Sequence, residues 1–212
     1  MTASSIAVVG GASVGSNDVN PAPKTGVAVS PDPLSQLSPP RLTGSCTMLA
    51  AIKTSVSLNS GYYCGLTTQP GANVTLNPGV YSFDGTMGIG NSVTLNGTGV
   101  TLYFKTGTIQ ITNGARVNLA APTSGTYEGV LIFQDRLDTS SPNFDSGAQE
   151  TLTGALYFPA AQVTLSNGNW ANTYSILVAD TLTVMGGAKL DLNSDYSSLP
   201  EGSPIKQAVV VE

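Results

Sequence analysis

The chain contains no histidine, only two cysteines and one tryptophan, and charged residues make up 10% of its 212 positions. Without histidine the sequence excludes a Ser-His-Asp triad and an imidazole metal site, and it lacks the commonest general base. The formal net charge is -5, and the eight Lys and Arg residues form no basic stripe. Nucleic acid and anionic membranes bind to such stripes, so neither is expected as a partner.

Long apolar runs are also missing. No stretch approaches the roughly 20 apolar residues that a membrane-spanning helix needs. The apolar run at residues 6–9 is too short for a secretory signal and lacks a basic flank. If the protein is exported, we expect its targeting segment to lie outside this chain.

A repeated pair of apolar residues, separated by one residue, dominates what is present. The pairs are Val56/Leu58, Val74/Leu76, Val93/Leu95, Val117/Leu119, Val163/Leu165 and Leu190/Leu192. Successive pairs are 18, 19, 24, 46 and 27 residues apart, and turns rich in Gly, Asn or Pro precede them. Such residues allow the tight bends of a β corner. A period near twenty residues indicates stacked β coils.

Two further series of apolar pairs follow the first in a constant order. The second comprises Tyr81/Phe83, Val100/Leu102, Val130/Ile132 and Ile176/Val178, and the third Met87/Ile89, Ile109/Ile111, Leu156/Phe158 and Leu182/Val184. Alternating side chains on three strands per coil predict an all-β fold, a right-handed single-stranded parallel β-helix of the pectate-lyase-like type. An antiparallel sandwich is the alternative, but it has no reason to repeat three pairs in one order.

The chain divides by composition into two parts. Residues 1–45 are predicted to hold an early rung at Ile6/Val8 and then an extended segment rich in proline. Residues 46–212 are predicted to form the β-helix, with a loop inserted at residues 134–153 in the coil whose step is 46.

Cys46 and Cys64 lie outside any C-x-x-C pattern, which argues against a thiolate zinc site. One disulfide between them would tie the N-terminal approach to the first full coil and would indicate an oxidising compartment. Two buried free thiols are the alternative. No metal or other cofactor is predicted.

Several segments resemble a known family over nearly the whole chain and in the same order. They are SSIAVVGG (4–11), PDPL (31–34), PP (39–40), NPGVY (77–81), GTGVTLYF (97–104), APTSG (121–125), LIFQDR (131–136) and GALYFP (154–159). They resemble the C-terminal part of bacterial TadE/TadG-like Flp pilus-assembly proteins. The resemblance implies an exported β-helical region linked to pili and the cell envelope, and it brings no catalytic residues. The N-terminal membrane anchor of the longer family layout has no counterpart in this chain.

A cluster of charged residues lies in the predicted insertion and comprises Asp135, Arg136, Asp138, Asp145 and Glu150. Loops on a rigid scaffold often carry binding groups. Asp135 and Asp138 with Arg136 as base have the residue types of a Ca²⁺-dependent polysaccharide lyase, and paired carboxylates also serve glycoside hydrolysis. The preferred interpretation is structural: Asp135 and Arg136 pair with each other or with the loop backbone.

A ladder of small polar residues is the second candidate site. The residues between the members of the first pairs are Ser57, Thr75, Thr94, Asn118, Thr164 and Asp191. Thr75, Thr94 and Thr164 in one column would accept hydrogen bonds from sugar hydroxyls or order water, as on ice-binding solenoids. Threonine is equally a good strand residue on a solvent face.

These observations lead to one expectation and two alternatives. We expect a non-enzymatic structural or adhesive module, extracellular or on the bacterial cell surface, that binds a surface protein or glycan. Self-association is also expected, because the strand-like residues 206–212 would leave a β edge for another molecule. A carbohydrate-active enzyme is the first alternative, and a glycan- or ice-binding solenoid is the second.

Overall fold

The computed structural model describes residues 7–9, 24–27, 31–112, 114–144, 149–166, 169–171, 175–185, 189–190 and 195–204. The chain forms two compact units, one of Met1–Ser38 with Ile205–Glu212 and one of Pro39–Pro204. The described residues are strands, turns and irregular segments, without a helix. Accordingly, no helix among them is long and apolar enough to cross a membrane.

The described strands are numbered in chain order. They are β1 (Ala7–Val9), β2 (Lys24–Val27), β3 (Val56–Leu58), β4 (Gly61–Tyr63), β5 (Leu66–Thr67), β6 (Asn73–Leu76), β7 (Gly79–Asp84), β8 (Met87–Ile89), β9 (Thr94–Thr98), β10 (Val100–Thr106), β11 (Ile109–Ile111), β12 (Arg116–Ala120), β13 (Val130–Gln134), β14 (Asn143–Phe144), β15 (Gln149–Ser166), β16 (Asn169–Ala171), β17 (Ser175–Met185) and β18 (Lys189–Leu190). In the first unit, β1 pairs with β2 in parallel.

Three parallel sheets run along the second unit. The first sheet has the order β3-β6-β9-β12-β15-β16-β18, and the second has β4-β7-β10-β13-β15-β17. The third sheet contains β5, β8, β11, β14 and the later parts of β15 and β17. Each strand therefore pairs with its counterparts in neighbouring coils, and the chain forms a β-solenoid of about five turns. The predicted parallel β-helix is confirmed.

The alternation of side chains explains why these residues form stacked strands. Val74, Leu95 and Val117 occupy equivalent inward positions of the first sheet and are buried. The next residue along the strand, Thr75 after Val74 and Asn96 after Leu95, faces outward and is exposed. A strand with this period-two pattern is stable only when one face covers a core.

Aromatic rings continue the core on the second sheet. Tyr63, Phe83 and Phe104 are in register on β4, β7 and β10. Their ring centroids are 6.0 Å and 5.2 Å apart along this stack. Such pairs add about 0.5–1.5 kcal/mol each to the stabilisation from burial.

The coils approach one another closely at a glycine corner that follows the second sheet. Gly107 has φ of 72°, a conformation that L side chains rarely adopt. A Cβ atom at Gly107 would lie 2.5 Å from the carbonyl carbon of Gly85 in the preceding coil. Glycine is therefore required at position 107 by both conformation and space.

Cys46 and Cys64 form a disulfide at the N-terminal end of this solenoid, with their Cα atoms 4.9 Å apart. Parallel bridges join Thr47 to Tyr63 and Ile52 to Thr68. The chain from Cys46 onward is thus a partial coil that stacks on the first full one, and the disulfide links the two.

Two predicted pairs lie on other sheets than expected. Val163/Leu165, predicted for the first strand of a coil, lies on the third sheet, in register with β17 and, at Leu165, with β14. Leu156/Phe158, predicted for the third strand, lies on the second sheet beside β13 and β17. The three faces use the same kind of apolar pair, so the pair alone does not identify its face.

The step of 46 residues therefore covers more than one coil. Glu150 of β15 pairs with Val117 in the first sheet. Because a glutamate occupies this inward position, the strand lacks the apolar pair on which the prediction of first-sheet strands depends. Of the predicted insertion, residues 134, 143–144 and 149–153 belong to β13, β14 and β15, and residues 135–142 form the segment between β13 and β14.

Candidate functional site

A column of exposed polar side chains follows the outer side of the first sheet. In register on successive coils it contains Ser57, Thr75, Asn96, Asn118 and Thr151. Neighbouring strands of a sheet are roughly 4.8 Å apart, so the column presents hydroxyl and amide groups at that interval. The strands hold each Cα in place, because the side chains on the opposite face are packed in the core.

A second outward column runs beside the first. Asn73, Thr94 and Arg116 are in register on β6, β9 and β12, and Arg116 is exposed. Hydrogen bonds cross between coils on the same side: Asn73 Nδ2 donates to Ser55 Oγ at 3.4 Å. We call the two columns, together with Ser55, the polar face, defined as Ser55, Ser57, Asn73, Thr75, Thr94, Asn96, Arg116, Asn118 and Thr151.

An open groove of about 390 Å³ lies on the polar face at the first three full coils. Its lining residues are Ser55, Val56, Ser57, Asn73, Thr75 and Asn96. Serine, threonine and asparagine offer both donors and acceptors without charge. The groove is therefore suited to a hydroxyl-rich, uncharged ligand.

The predicted threonine ladder does not form a single column. Thr75 pairs with Asn96 and Thr94 pairs with Asn73, so these two threonines stand in adjacent columns. Thr164 lies on the third sheet, where it pairs with Asn143 and with β17. The sequence pattern aligns Val93 with Val74, which places Thr94 beside Thr75. In the structure Leu95 pairs with Val74, so the register differs by two residues and Asn96 is the neighbour of Thr75.

The charged residues of the insertion are bonded within their own loop and to the neighbouring coil. Asp135 accepts hydrogen bonds from the Tyr103 hydroxyl at 2.8 Å and from the backbone N–H of Leu137 at 3.0 Å. Asp138 accepts from the backbone N–H and the hydroxyl of Ser140, at 2.9 Å and 2.6 Å. These carboxylates hold the turn in place, as the structural interpretation predicts for Asp135.

Arg136 lies on an aromatic ladder of the second sheet. Its guanidinium carbon is 5.3 Å from the centroid of Phe133 and 5.6 Å from that of Tyr157. Tyr103, Phe133 and Tyr157 stack in succession with centroids 5.6 Å and 5.1 Å apart, and all three rings are buried. Burial, and then the hydrogen bond to Asp135, raise the pKa of Tyr103 well above its usual range.

Buried Gln134 completes the attachment of the loop. Its Nε2 donates to the backbone carbonyls of Asp138 at 3.3 Å and Ser140 at 2.8 Å. This role is not predictable from the sequence alone, because glutamine is mostly an exposed residue.

The remaining two acidic candidates are Glu150 and Asp145. Glu150 is buried at an inward position of the first sheet, 3% exposed, and not on the inserted loop. Asp145 lies outside the described residues. Within the described part of the chain, no group of three His, Cys, Asp or Glu side chains is placed to hold a metal ion.

A polar cluster that sequence reasoning missed lies at the end of β7. Asp84 accepts hydrogen bonds from Thr106 and Tyr62, both at 2.8 Å, and Lys105 Nζ lies 3.4 Å away. The hydrogen bond from Thr106, followed by that from Tyr62, lowers the pKa of Asp84. Because its members come from three coils, the cluster connects the coils at the surface.

Comparison with protein-family models, curated proteins and solved structures finds no match to this chain.

Proposed function

We propose that this protein is a non-enzymatic adhesive module of the bacterial cell surface, which presents its polar face to a component of the cell envelope. The observation that carries the proposal is the exposed column from Ser57 to Thr151 on five successive coils. A rigid, extended row of hydrogen-bonding groups binds an extended partner without ordering a loop first.

The bonding of the insertion supports a structural role over catalysis. A lyase base must approach a proton of the substrate, whereas the Arg136 guanidinium lies over two rings of its own scaffold. Asp135 and Asp138 accept hydrogen bonds from their own loop. The carboxylates and the cation therefore stabilise the fold in this arrangement.

Two observations support the location in the proposal. The disulfide between Cys46 and Cys64 fits an oxidising compartment. The resemblance of the sequence motifs to TadE/TadG-like pilus-assembly proteins adds the bacterial envelope as the setting.

Sedimentation of the labelled protein with bacterial envelope fractions tests the adhesive role. We expect saturable binding that excess unlabelled protein displaces. Absence of saturable binding to any envelope fraction would remove the support for adhesion.

The catalytic alternative is tested separately by incubating the protein with a panel of neutral and acidic polysaccharides. We expect neither unsaturated uronides nor new reducing ends. Product that disappears with Arg136→Ala, while the variant remains folded, would instead establish a lyase.

A further inference from the structure

We propose that the groove on the polar face binds a neutral polysaccharide chain that runs along the solenoid axis. This inference rests on the adhesive function proposed above and names the class of its ligand. The groove crosses three coils, and Ser57, Thr75 and Asn96 stand in register along it. A ligand that contacts all three must extend across the strands.

The charges around the groove select an uncharged ligand. None of the six lining residues is acidic or basic. Arg116, the cation of the polar face, stands two strands beyond Asn73 in its column, roughly 10 Å away at normal strand spacing. The lining therefore offers an acidic polymer no charged partner, on a protein of net charge -5.

The side chains also match the hydrogen bonding of sugars. Each sugar hydroxyl both donates and accepts, and the hydroxyls of Ser57 and Thr75 and the amide of Asn96 do the same. Serine, threonine and asparagine lose less side-chain entropy on binding than lysine, arginine or glutamine. The groove is open and lacks aromatic rings, so binding depends on many weak contacts along a polymer.

Affinity electrophoresis in gels that contain a soluble polysaccharide measures this binding directly. The probes are dextran, mannan and a mixed-linkage β-glucan as neutral polymers, and polygalacturonate as the acidic one. We expect retardation of the intact protein by at least one neutral polymer and no retardation by polygalacturonate.

The variant Thr75→Val with Asn96→Ala removes two groups of the groove while valine keeps the shape of a strand residue. We expect it to weaken retardation by about tenfold, since each lost hydrogen bond costs a few-fold in affinity. The matched control is Thr164→Val, which removes a hydroxyl from the third sheet and should bind like the unmodified protein.

Two results would overturn the inference. One is the absence of retardation by every neutral polymer, and the other is retardation by polygalacturonate that is lost with Arg116→Ala. If the double variant does not fold, chemical shift changes of the Asn73 and Asn96 side-chain amides in the unmodified protein replace it. Unchanged shifts in the presence of a retarding polymer contradict the proposed groove.

The same variants separate this inference from the adhesive function. If the double variant still binds envelope fractions like the unmodified protein, the groove is not the binding site but adhesion stands. If the unmodified protein binds no envelope fraction while dextran, mannan or the β-glucan retards it, the adhesive function fails and the glycan site remains.

Discussion

Arg136 is expected to stabilise the protein by clamping the inserted segment onto the aromatic ladder. The guanidinium carbon lies within 6 Å of two ring centroids, those of Phe133 and Tyr157. A cation over one ring contributes about 0.5–1 kcal/mol when exposed and about 2 kcal/mol when desolvated. Since Arg136 is half-buried, we expect Arg136→Met to lower the free energy of unfolding by about 1–1.5 kcal/mol.

Methionine is the informative replacement because it retains an apolar stem that packs on the rings and removes only the charged head. For a chain of this length, a loss of this size lowers Tm by roughly 2–6 °C. The matched control is Arg116→Met, an exposed position on the polar face, which should stay within about 0.5 kcal/mol of the unmodified protein.

Urea denaturation of Arg136→Met, Tyr157→Leu and the double variant isolates the ring contact from any other contact of the guanidinium. Because Phe133 retains its contact with Arg136, the coupling energy with Tyr157 should be about 0.5–1 kcal/mol. Hydrogen exchange should also become faster in residues 135–142. Equal effects of the two arginine replacements, or a coupling energy of zero, would refute the clamp.

Three further predictions concern the scaffold. Removing the disulfide with Cys46→Ser and Cys64→Ser should lower the free energy of unfolding by about 3 kcal/mol, given its 18-residue separation. Faster hydrogen exchange should be confined to the first coils, and an unchanged Tm would contradict this prediction. Gly107→Ala should destabilise the protein by roughly 1–2 kcal/mol more than Gly71→Ala. Both glycines have positive φ, but of these two positions only at 107 would a Cβ atom meet backbone atoms of another coil. Equal losses of unfolding free energy in urea denaturation would contradict the close approach. Burial raises the pKa of Tyr81 from 10.0 to about 12, so its stabilising contribution is fully present below pH 10 and is lost as pH rises through about 12. In an alkaline titration, the absorbance of the last tyrosines to ionise should appear together with loss of the β-sheet circular dichroism. Ionisation of all tyrosines at lower pH, with the sheet intact, would contradict this prediction.

The strands and their parallel stacking were predictable from local sequence, because alternation and turn residues are local properties. The face that each strand occupies was not. Val163/Leu165 and Val74/Leu76 look alike in sequence, yet they lie on the third and first sheets. Register depends on how many residues each corner takes, and the buried Glu150 removed the signal for one strand.

The candidate sites were predictable in composition but not in contacts. The sequence singled out Asp135 and Arg136, and it left open whether they bind a ligand or hold the loop. Their partners Tyr103 and Tyr157 come from neighbouring coils, 32 positions before Asp135 and 21 after Arg136. Such contacts follow from the stacking of coils, whereas Phe133 and Leu137 are partners that lie near them in sequence.

The disulfide between neighbouring coils also has a mechanical consequence. A solenoid that is pulled at one end unravels coil by coil, because each coil contacts only its neighbours. A pull on the chain before Cys46 passes directly to Cys64 through the sulfur atoms, so the residues between them do not lengthen under tension. The pulling force therefore acts on the hydrogen bonds of the coil after Cys64, while the segment between the two cysteines stays folded. The N-terminal end of the solenoid resists unravelling as long as the disulfide is intact.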